Sequence, residues 1–329
     1  MAAQELSQEQ LDKIYAFAVD LGRKAGQLLL ESVEKRIGDG DHQLFEEKDS
    51  AVDIVTQTDE GTLPIPSAAA FARFLGEESY AKGQSRDYLI DEHPTWCIDP
   101  LDGTVNFTHI FPMFCVSIGF LVNHRPVIGV IYAPFQDQLF SSCVNRGAWL
   151  NEKRRLPLIR HSSIPPMPPN APGKCILSCE WGKDRRDIPD GNMYRKIESF
   201  VNLAAEVGSR GGKGGMVHGV RSLGSATLDL AYTAMGSFDI WWEGGCWEWD
   251  VAAGIAILLE AGGLVTTANP PDDPETAPIP EVRLGSRLYL AISRPAGPSA
   301  TETGRQSQER TVREVWKRVR QLEYTRPGA

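Results

Sequence analysis

Between Val116 and Cys143 the chain carries three short runs with the two-residue period of β-strands, interrupted only where a turn is needed. Val116-x-Ile118-x-Phe120-x-Val122 alternates, Asn123-His124-Arg125-Pro126 breaks it, and Val127 to Tyr132 resumes, which predicts a hairpin. Gln138 to Cys143 adds a third strand, and the turn Asn145-Arg146-Gly147 extends the meander towards Trp149. An antiparallel sheet of this kind is stable only when a face is covered, so the rest of the chain has to supply the cover.

A helix comes first in the sequence. Ser7-x-x-Gln10 reads as a capping box, and Leu11, Ile14, Tyr15, Ala18, Leu21, Ala25 and Leu28 line one face of a helix ending near Gly38. A polar stretch to Asp49 and a short strand-like run, Val52 to Val55, follow. After the proline-rich segment His161 to Gly173 the pattern changes to alternation. Strands are expected at Cys175–Cys179, Val217–Leu223, Phe238–Trp242, Leu264–Thr267 and Leu288–Ile292. Helices are expected at Met193–Val207, Ala226–Met235 and Val251–Ala261, the last closed by Gly262-Gly263. Asn269 to Pro280 is a second proline-rich insertion, and Pro295 to Gln308 reads as a flexible linker. Beyond it, Val312, Val315, Val319 and Leu322 mark one face of a terminal helix.

An antiparallel first half and an alternating second half predict an α/β protein of stacked sheet and helix layers. The expected organisation is an N-terminal lobe over 1–160, a C-terminal α/β lobe over 161–294, and a linker with a terminal helix over 295–329.

Lys and Arg number 34 against 43 Asp and Glu, a net charge of −9, and such a surface repels phosphate backbones; nucleic acid is not an expected partner. The longest apolar run, Met113 to Val122, is half of the roughly 20 residues that a bilayer-spanning helix needs, so no membrane is expected either. The six cysteines form no C-x-x-C pair, and the first residues are polar and acidic, so a reduced, cytoplasmic setting is expected.

Several chemistries drop out. Gly208 to Gly215 looks like a phosphate loop, but Lys213 is followed by Gly214 instead of Ser or Thr. No G-x-S-x-G elbow is present, and the six histidines, His109 and His218 among them, have no metal-ligand spacing. A D-x-D-G-T phosphatase motif needs a nucleophilic Asp where this chain has Pro100. What remains is Gly76-Glu77-Glu78, Asp99-Pro100-Leu101-Asp102-Gly103-Thr104 and Trp249-Asp250-Val251-Ala252-Ala253. Two carboxylates three residues apart, at a turn before a helix start, suit hard cations, and the free N–H groups suit a phosphate. Asp99 and Asp102 as helix caps is the other reading of the same residues.

Those segments, with Asn106-Phe107 and the upstream Val52-Asp53-Ile54-Val55-Thr56-x-Thr58-Asp59, resemble the inositol monophosphatase family, over about Leu11 to Ile292. The wording from Trp241 to Asp250 is similar to a fungal quinate-utilisation branch of it. The resemblance implies the stacked αβαβα layers of the sugar phosphatases, with mixed and antiparallel sheets. It implies a Mg²⁺-dependent phosphomonoesterase that hydrolyses inositol monophosphate or a similar polyol or sugar phosphate, with two or three Mg²⁺ per site, and it suggests a homodimer.

By the same resemblance, Glu77, Asp99 and the Leu101 carbonyl hold one ion, and Asp99, Asp102 and Asp250 a second. Thr104 and Glu77 orient the attacking water, Asp59 supports the Thr104 hydroxyl, and the Gly103 and Thr104 N–H groups take phosphoryl oxygens. Glu243 and the Gly224-Ser225-Ala226 turn face substrate hydroxyls, with Asp250 accepting from another. Gly244-Gly245 favours a close approach at Glu243, Lys48 matches a family lysine, and the tryptophans from Trp241 to Trp249 are expected to pack. The family has a helix where this chain has Gly61-Thr62-Leu63-Pro64-Ile65-Pro66; two prolines leave at most Ser67 to Phe74 for a short one. Two other readings stand beside this one: a bisphosphate nucleotidase or sugar bisphosphatase of the same superfamily, and a catalytically weak, regulatory member that binds a metabolite or a partner protein.

Overall fold

The computed structural model describes residues 6–39, 69, 72–77, 88–158, 167–293 and 298–326. Lys48, the Val52–Asp59 motif with Asp59, and the Gly61–Pro66 segment lie outside the described residues. The chain divides into two compact units, one of Met1–Arg155, Gly224–Ala231 and Glu248–Glu260, the other of Leu156–Leu223, Tyr232–Trp247 and Ala261–Ala329.

The first unit opens with helix α1 (Gln8–Asp39), whose start is the expected capping box: Ser7 N donates to Gln10 Oε1 at 2.8 Å and Gln10 N to Ser7 Oγ at 3.3 Å. Its buried stripe runs Leu11, Ile14, Ala18, Leu21, Ala25, Leu29 and Val33. Among the described residues the sheet has seven strands in sequence order: β1 (Arg73–Gly76), β2 (Thr95–Asp102), β3 (Cys115–Val122), β4 (Arg125–Ala133), β5 (Gln138–Cys143), β6 (Gly147–Leu150) and β7 (Arg154–Arg155). Only β1 and β2 run parallel. The meander read from the sequence is therefore present. Arg73 and Phe74, given at most to a short helix, are instead in β1, where only Leu75 is buried and no period is available to read.

Helices cover both faces of this sheet. A Cβ at Gly22 of α1 would stand 3.1 Å from Val130 and 3.7 Å from Ile118, so α1 lies on their side. Their neighbours Gly129 and Gly119 point the opposite way. There a Cβ on Gly119 would stand 2.9 Å from Ala252 Cβ, and one on Gly129 would run into the Ala253 carbonyl. The two glycines thus let helix α5 (Glu248–Glu260) lie directly on the sheet, where almost every one of its residues is buried. Helix α4 (Ala226–Met235) packs Leu230 against Gly254 of α5. Glu260, at the end of α5, accepts from Asn145 N and Gly147 N at 3.2 and 2.9 Å, which fixes the β5–β6 turn.

The second unit holds β8 (Ile176–Ser178), α3 (Asn192–Ala204), β9 (Gly219–Arg221), β10 (Ile240–Gly244), β11 (Leu264–Thr266), β12 (Leu288–Ile292) and α6 (Gly304–Trp316). Its sheet runs in the order β11-β12-β10-β8-β9 and is mixed, with β8 parallel to β9 and β10 and β12 antiparallel to both of its neighbours. Leu177, Ile240, Trp242, Leu290 and Ile292 form one core with Leu203 of α3 and Val312, Val315 and Trp316 of α6. These are the mixed and antiparallel sheets layered with helices of an α/β sandwich fold.

The C-terminal region differs from expectation at both ends of its helix. The linker to Gln308 is cut short, because Thr303 and Gln306 form a capping box and start α6 at Gly304. The helix then stops at Trp316, Val319 N still donates to the Val315 carbonyl at 3.1 Å, and Leu322 belongs to the irregular strap that follows. Asn269 pairs with the Leu322 N–H and C=O at 2.8 and 2.9 Å, and Asn192 with those of Glu323 at 2.7 and 2.9 Å. These side-chain amides take the backbone groups that a continued helix would have used. Thr303→Ala is expected to cost about 1 kcal/mol, a fall in Tm of roughly 2–4 °C by thermal scan.

The six cysteines form no disulfide, and no described helix is long and apolar enough to cross a membrane.

Candidate active site

Strand β2 is buried throughout, and its pairing with β3 breaks register between Asp99 and Asp102. The break includes Pro100, which has no N–H to give the ladder. Asp99 Oδ1 accepts from Leu101 N at 2.9 Å, and Thr104 Oγ donates to the Leu101 carbonyl at 3.3 Å. Gly103 then takes φ 84° and caps the short helix α2 (Thr104–Thr108); a Cβ there would stand 2.7 Å from the Met113 carbonyl. Asn106 ties the same carbonyl at 2.6 Å and backs Gly224, whose φ is 71°. The turn is over-determined from both sides.

Two other elements bring acids to it. Gly76 of β1 pairs with Ile98, and a Cβ at Gly76 would stand 2.9 Å from the Ile98 carbonyl; Glu77, one residue on, acts electrostatically on Asp99. Asp250 sits in the first turn of α5. That turn is anchored by Thr227, whose hydroxyl donates to the Asp250 carbonyl at 2.7 Å, and by Ser117, which donates to the Trp249 carbonyl at 3.1 Å. Asp99, Asp102 and Asp250 offer carboxylate oxygens that all lie within 4.8 Å of one another. They are only 2, 9 and 4 % exposed. Burial raises the Asp99 carboxyl well above the usual range, and the charges of Glu77, Asp102 and Asp250 add to that.

Ser225 donates its hydroxyl to Asp102 and accepts from Leu228 N at 3.1 Å, so one side chain both caps α4 and orients a cage carboxylate. The buried Cys115 thiol lies across the ladder from Asp102; burial first, then the Asp102 and Asp99 charges, push it up.

The structure thus gathers Asp99, Asp102 and Asp250, with Leu101, Gly103, Thr104 and the Gly224-Ser225-Ala226 turn in the same unit. Glu77 is one of three acids acting on Asp99, with Asp102 and Asp250, and Asp59 is outside the described residues. Glu243 belongs to the second unit, is 1 % exposed, and is ion-paired with Lys196. The Gly244-Gly245 step beside it has a partner within the chain: Cβ atoms there would stand 2.9 Å from the Tyr324 ring. His109 is exposed at the end of α2, and His218 acts on Asp239 of the second unit. Trp241, Trp242 and Trp249 are buried, as expected of packing residues. Sequence reasoning passed over Lys196, Thr227 and Ser117; the first had a signal, a lysine on the inward face of α3.

An oxygen-only donor set under like-charge pressure fits a hard divalent cation better than zinc or copper. A match to the model of the inositol monophosphatase family covers residues 10–320. The chain belongs to that family. Among its relatives, protein qutG of Emericella nidulans is 75 % identical over 327 residues, covering 98 % of each chain. The quinic acid degradation cluster protein x of Neurospora crassa is 65 % identical over the whole of both chains. Inositol monophosphatase 2 of Saccharomyces cerevisiae is 36 % identical over 75 % of this chain and 78 % of its own. The solved inositol monophosphatase of Anabaena superposes with a TM-score of 0.65 at 29 % identity, over 95 % of this chain and 98 % of that one. Membership of the inositol monophosphatase family supports a phosphatase of that superfamily, a metal-dependent class into which the aspartate cage fits.

Proposed function

We propose that this chain is a Mg²⁺-dependent phosphomonoesterase acting on a polyol or sugar phosphate, inositol monophosphate or a relative, within quinate use. The convergence of three aspartate oxygens within 4.8 Å, with Glu77 adding its charge, carries the reading. Two or three Mg²⁺ would be held by Glu77, Asp99, the Leu101 carbonyl, Asp102 and Asp250. Bound there, Mg²⁺ supplies Lewis-acid charge to the phosphoryl oxygens and makes water easier to deprotonate.

The chain's own groups do the rest. Glu77 and the Thr104 hydroxyl hold the attacking water in line, and Asp59 supports Thr104. The Gly103 and Thr104 N–H groups take charge that develops on phosphoryl oxygens. Ser225 holds Asp102 at one angle, so the carboxylate has no reorganisation to make during the reaction. The Gly224–Ala226 turn faces the hydroxyl-bearing part of the ester, and Asp250 accepts from one further hydroxyl. The name of the Neurospora crassa relative, a quinic acid degradation cluster protein, supports a substrate from that metabolism, and the cytoplasm is the setting that goes with this reading. A homodimer is the assembly to check by sedimentation.

A screen of phosphate esters with and without Mg²⁺ tests the reading. Release of phosphate from polyol monophosphates that requires Mg²⁺ is expected. Metal-independent release, or release only from bisphosphates, contradicts it, and Mg²⁺ binding without hydrolysis of any ester points to the metabolite-binding alternative.

A pH effect belongs to the same cage. The raised Asp99 carboxyl holds its proton to higher pH in the folded, metal-free chain than in the unfolded one, so this group's own contribution to stability falls as pH rises above about 4. The gain in Tm on replacing chelator with Mg²⁺ is expected to grow as pH rises through that window, because the cage loses its protons there and the metal relieves its charge. A Tm that rises with pH equally in both conditions contradicts the cage.

A further inference from the structure

Three buried hydroxyls join the segments that carry the aspartate cage, all within the first unit. Ser117 of β3 stands across the ladder from Asp99 and donates to the Trp249 carbonyl at 3.1 Å, one residue before Asp250. Thr227, in the first turn of α4, donates to the Asp250 carbonyl at 2.7 Å. Ser225, two residues back, donates to Asp102. None of the three is more than 1 % exposed. Together they close a circuit. It runs from Asp99 across the sheet to Ser117, through the first turn of α5 to Thr227, and through Ser225 back to Asp102.

Apolar packing alone does not fix this arrangement. Helix α5 meets the sheet through Ala252 on Gly119 and Ala253 on Gly129, and it meets α4 through Leu230 on Gly254. Glycine has no side chain to interlock, so these contacts set how close α5 lies and offer little resistance to sliding. Hydrogen bonds are short and directional, and two of them on successive carbonyls of one turn fix that remaining coordinate. The Trp249 and Asp250 carbonyls belong to the helix ladder, so neither needs a hydroxyl to be satisfied. What the hydroxyls add is the place of Asp250.

We propose that Thr227 and Ser117 are positioning residues that set the metal preference of the cage, holding Asp250 against Asp99 and Asp102 at the small size that favours Mg²⁺ over Ca²⁺. The proposal deepens the phosphatase reading and rests on its metal site. Mg²⁺ takes oxygens at about 2.0–2.1 Å in a strict octahedron, whereas Ca²⁺ accepts about six to eight oxygens at about 2.3–2.6 Å in looser geometry. A cage whose third carboxylate can drift therefore loses Mg²⁺ first.

Calorimetric titration with Mg²⁺ and with Ca²⁺ reads the preference without any turnover, and the binding that Asp99→Asn abolishes is counted as the cage's. Thr227→Val keeps the shape and removes the hydroxyl. It is expected to weaken Mg²⁺ roughly 10–100-fold, the usual effect of losing an outer partner of a metal ligand. Ca²⁺ is expected to weaken less, so the ratio of the two dissociation constants shifts about tenfold towards Ca²⁺. Thr227→Ser is expected to restore it. Ser117→Ala is expected to shift the ratio the same way, and it carries the test if Thr227→Val does not fold. Equal weakening of both ions, or an unchanged ratio in every folded variant, overturns the proposal and leaves the hydroxyls a structural role. A wild type with no Asp99-dependent binding of either ion overturns it too, together with the metal site. The expected shift in a chain that hydrolyses no ester upholds the proposal and overturns the phosphatase reading alone.

Discussion

Asp99→Asn is expected to abolish Mg²⁺-dependent phosphate release, a loss of at least about 10³-fold in kcat, without unfolding the chain. Asp99 is the carboxylate on which the others converge: it is buried, it accepts from Leu101 N, and Glu77, Asp102 and Asp250 all press on its charge. An amide keeps the size and the acceptor oxygen for Leu101 while it removes the charge. Activity and metal affinity should therefore fall together. Stability in chelator should hold or rise, because a buried like charge has been relieved. Parallel assays of phosphate release and thermal unfolding in chelator distinguish this from simple structural damage. A variant with more than a tenth of wild-type turnover at saturating Mg²⁺ would show that Asp99 is not part of the chemistry.

The second large effect is expected at Gly103, a backbone position. At φ 84° an alanine is strained by about 1–3 kcal/mol, and its Cβ would press on the Met113 carbonyl at 2.7 Å. That carbonyl is already held by Asn106 at 2.6 Å and the next residue, Phe114, is buried, so the neighbours cannot easily give way. Gly103→Ala should lower Tm by roughly 4–10 °C and cut turnover at least about tenfold, since Leu101 and Thr104 are set by the same turn. Asn at this position, which tolerates positive φ better, should strain the backbone less but meet the same carbonyl. A variant with wild-type Tm and turnover would mean that the turn relaxes freely.

Most of the fold was legible because its elements are bounded by strong punctuation. β5, α4 and β12 run over the residues that the pattern gives, Gln138–Cys143, Ala226–Met235 and Leu288–Ile292. β1 was not legible: four residues with one buried position have no period, and pairing with β2 alone makes them a strand. The end of α6 was missed because Asn192 and Asn269, far away in the chain, supply the partners that let the backbone leave the helix. α5 begins at Glu248, three residues before the expected start, since its first turn is buried acids and a tryptophan instead of solvent-facing caps.

At the site, Asp99, Asp102 and Asp250 could be read from their motifs, and the structure brings their oxygens together. What anchors them could not. Ser117, Thr227 and Ser225 act through single hydroxyls across the fold, and a lone serine or threonine in a sequence carries no such signal. The glycines at 244 and 245 suggested ligand approach, whereas a tyrosine 79 residues beyond Gly245 packs against them; no local pattern announces a contact of that length.

Anomalous scattering from a crystal soaked in Mn²⁺, a stand-in for Mg²⁺, addresses the cage most directly. The account predicts peaks within about 2.0–2.6 Å of oxygens of Asp99, Asp102 and Asp250, lost in Asp99→Asn. Ordered carboxylates with no peak among them, under Mn²⁺ concentrations that support turnover, would contradict it.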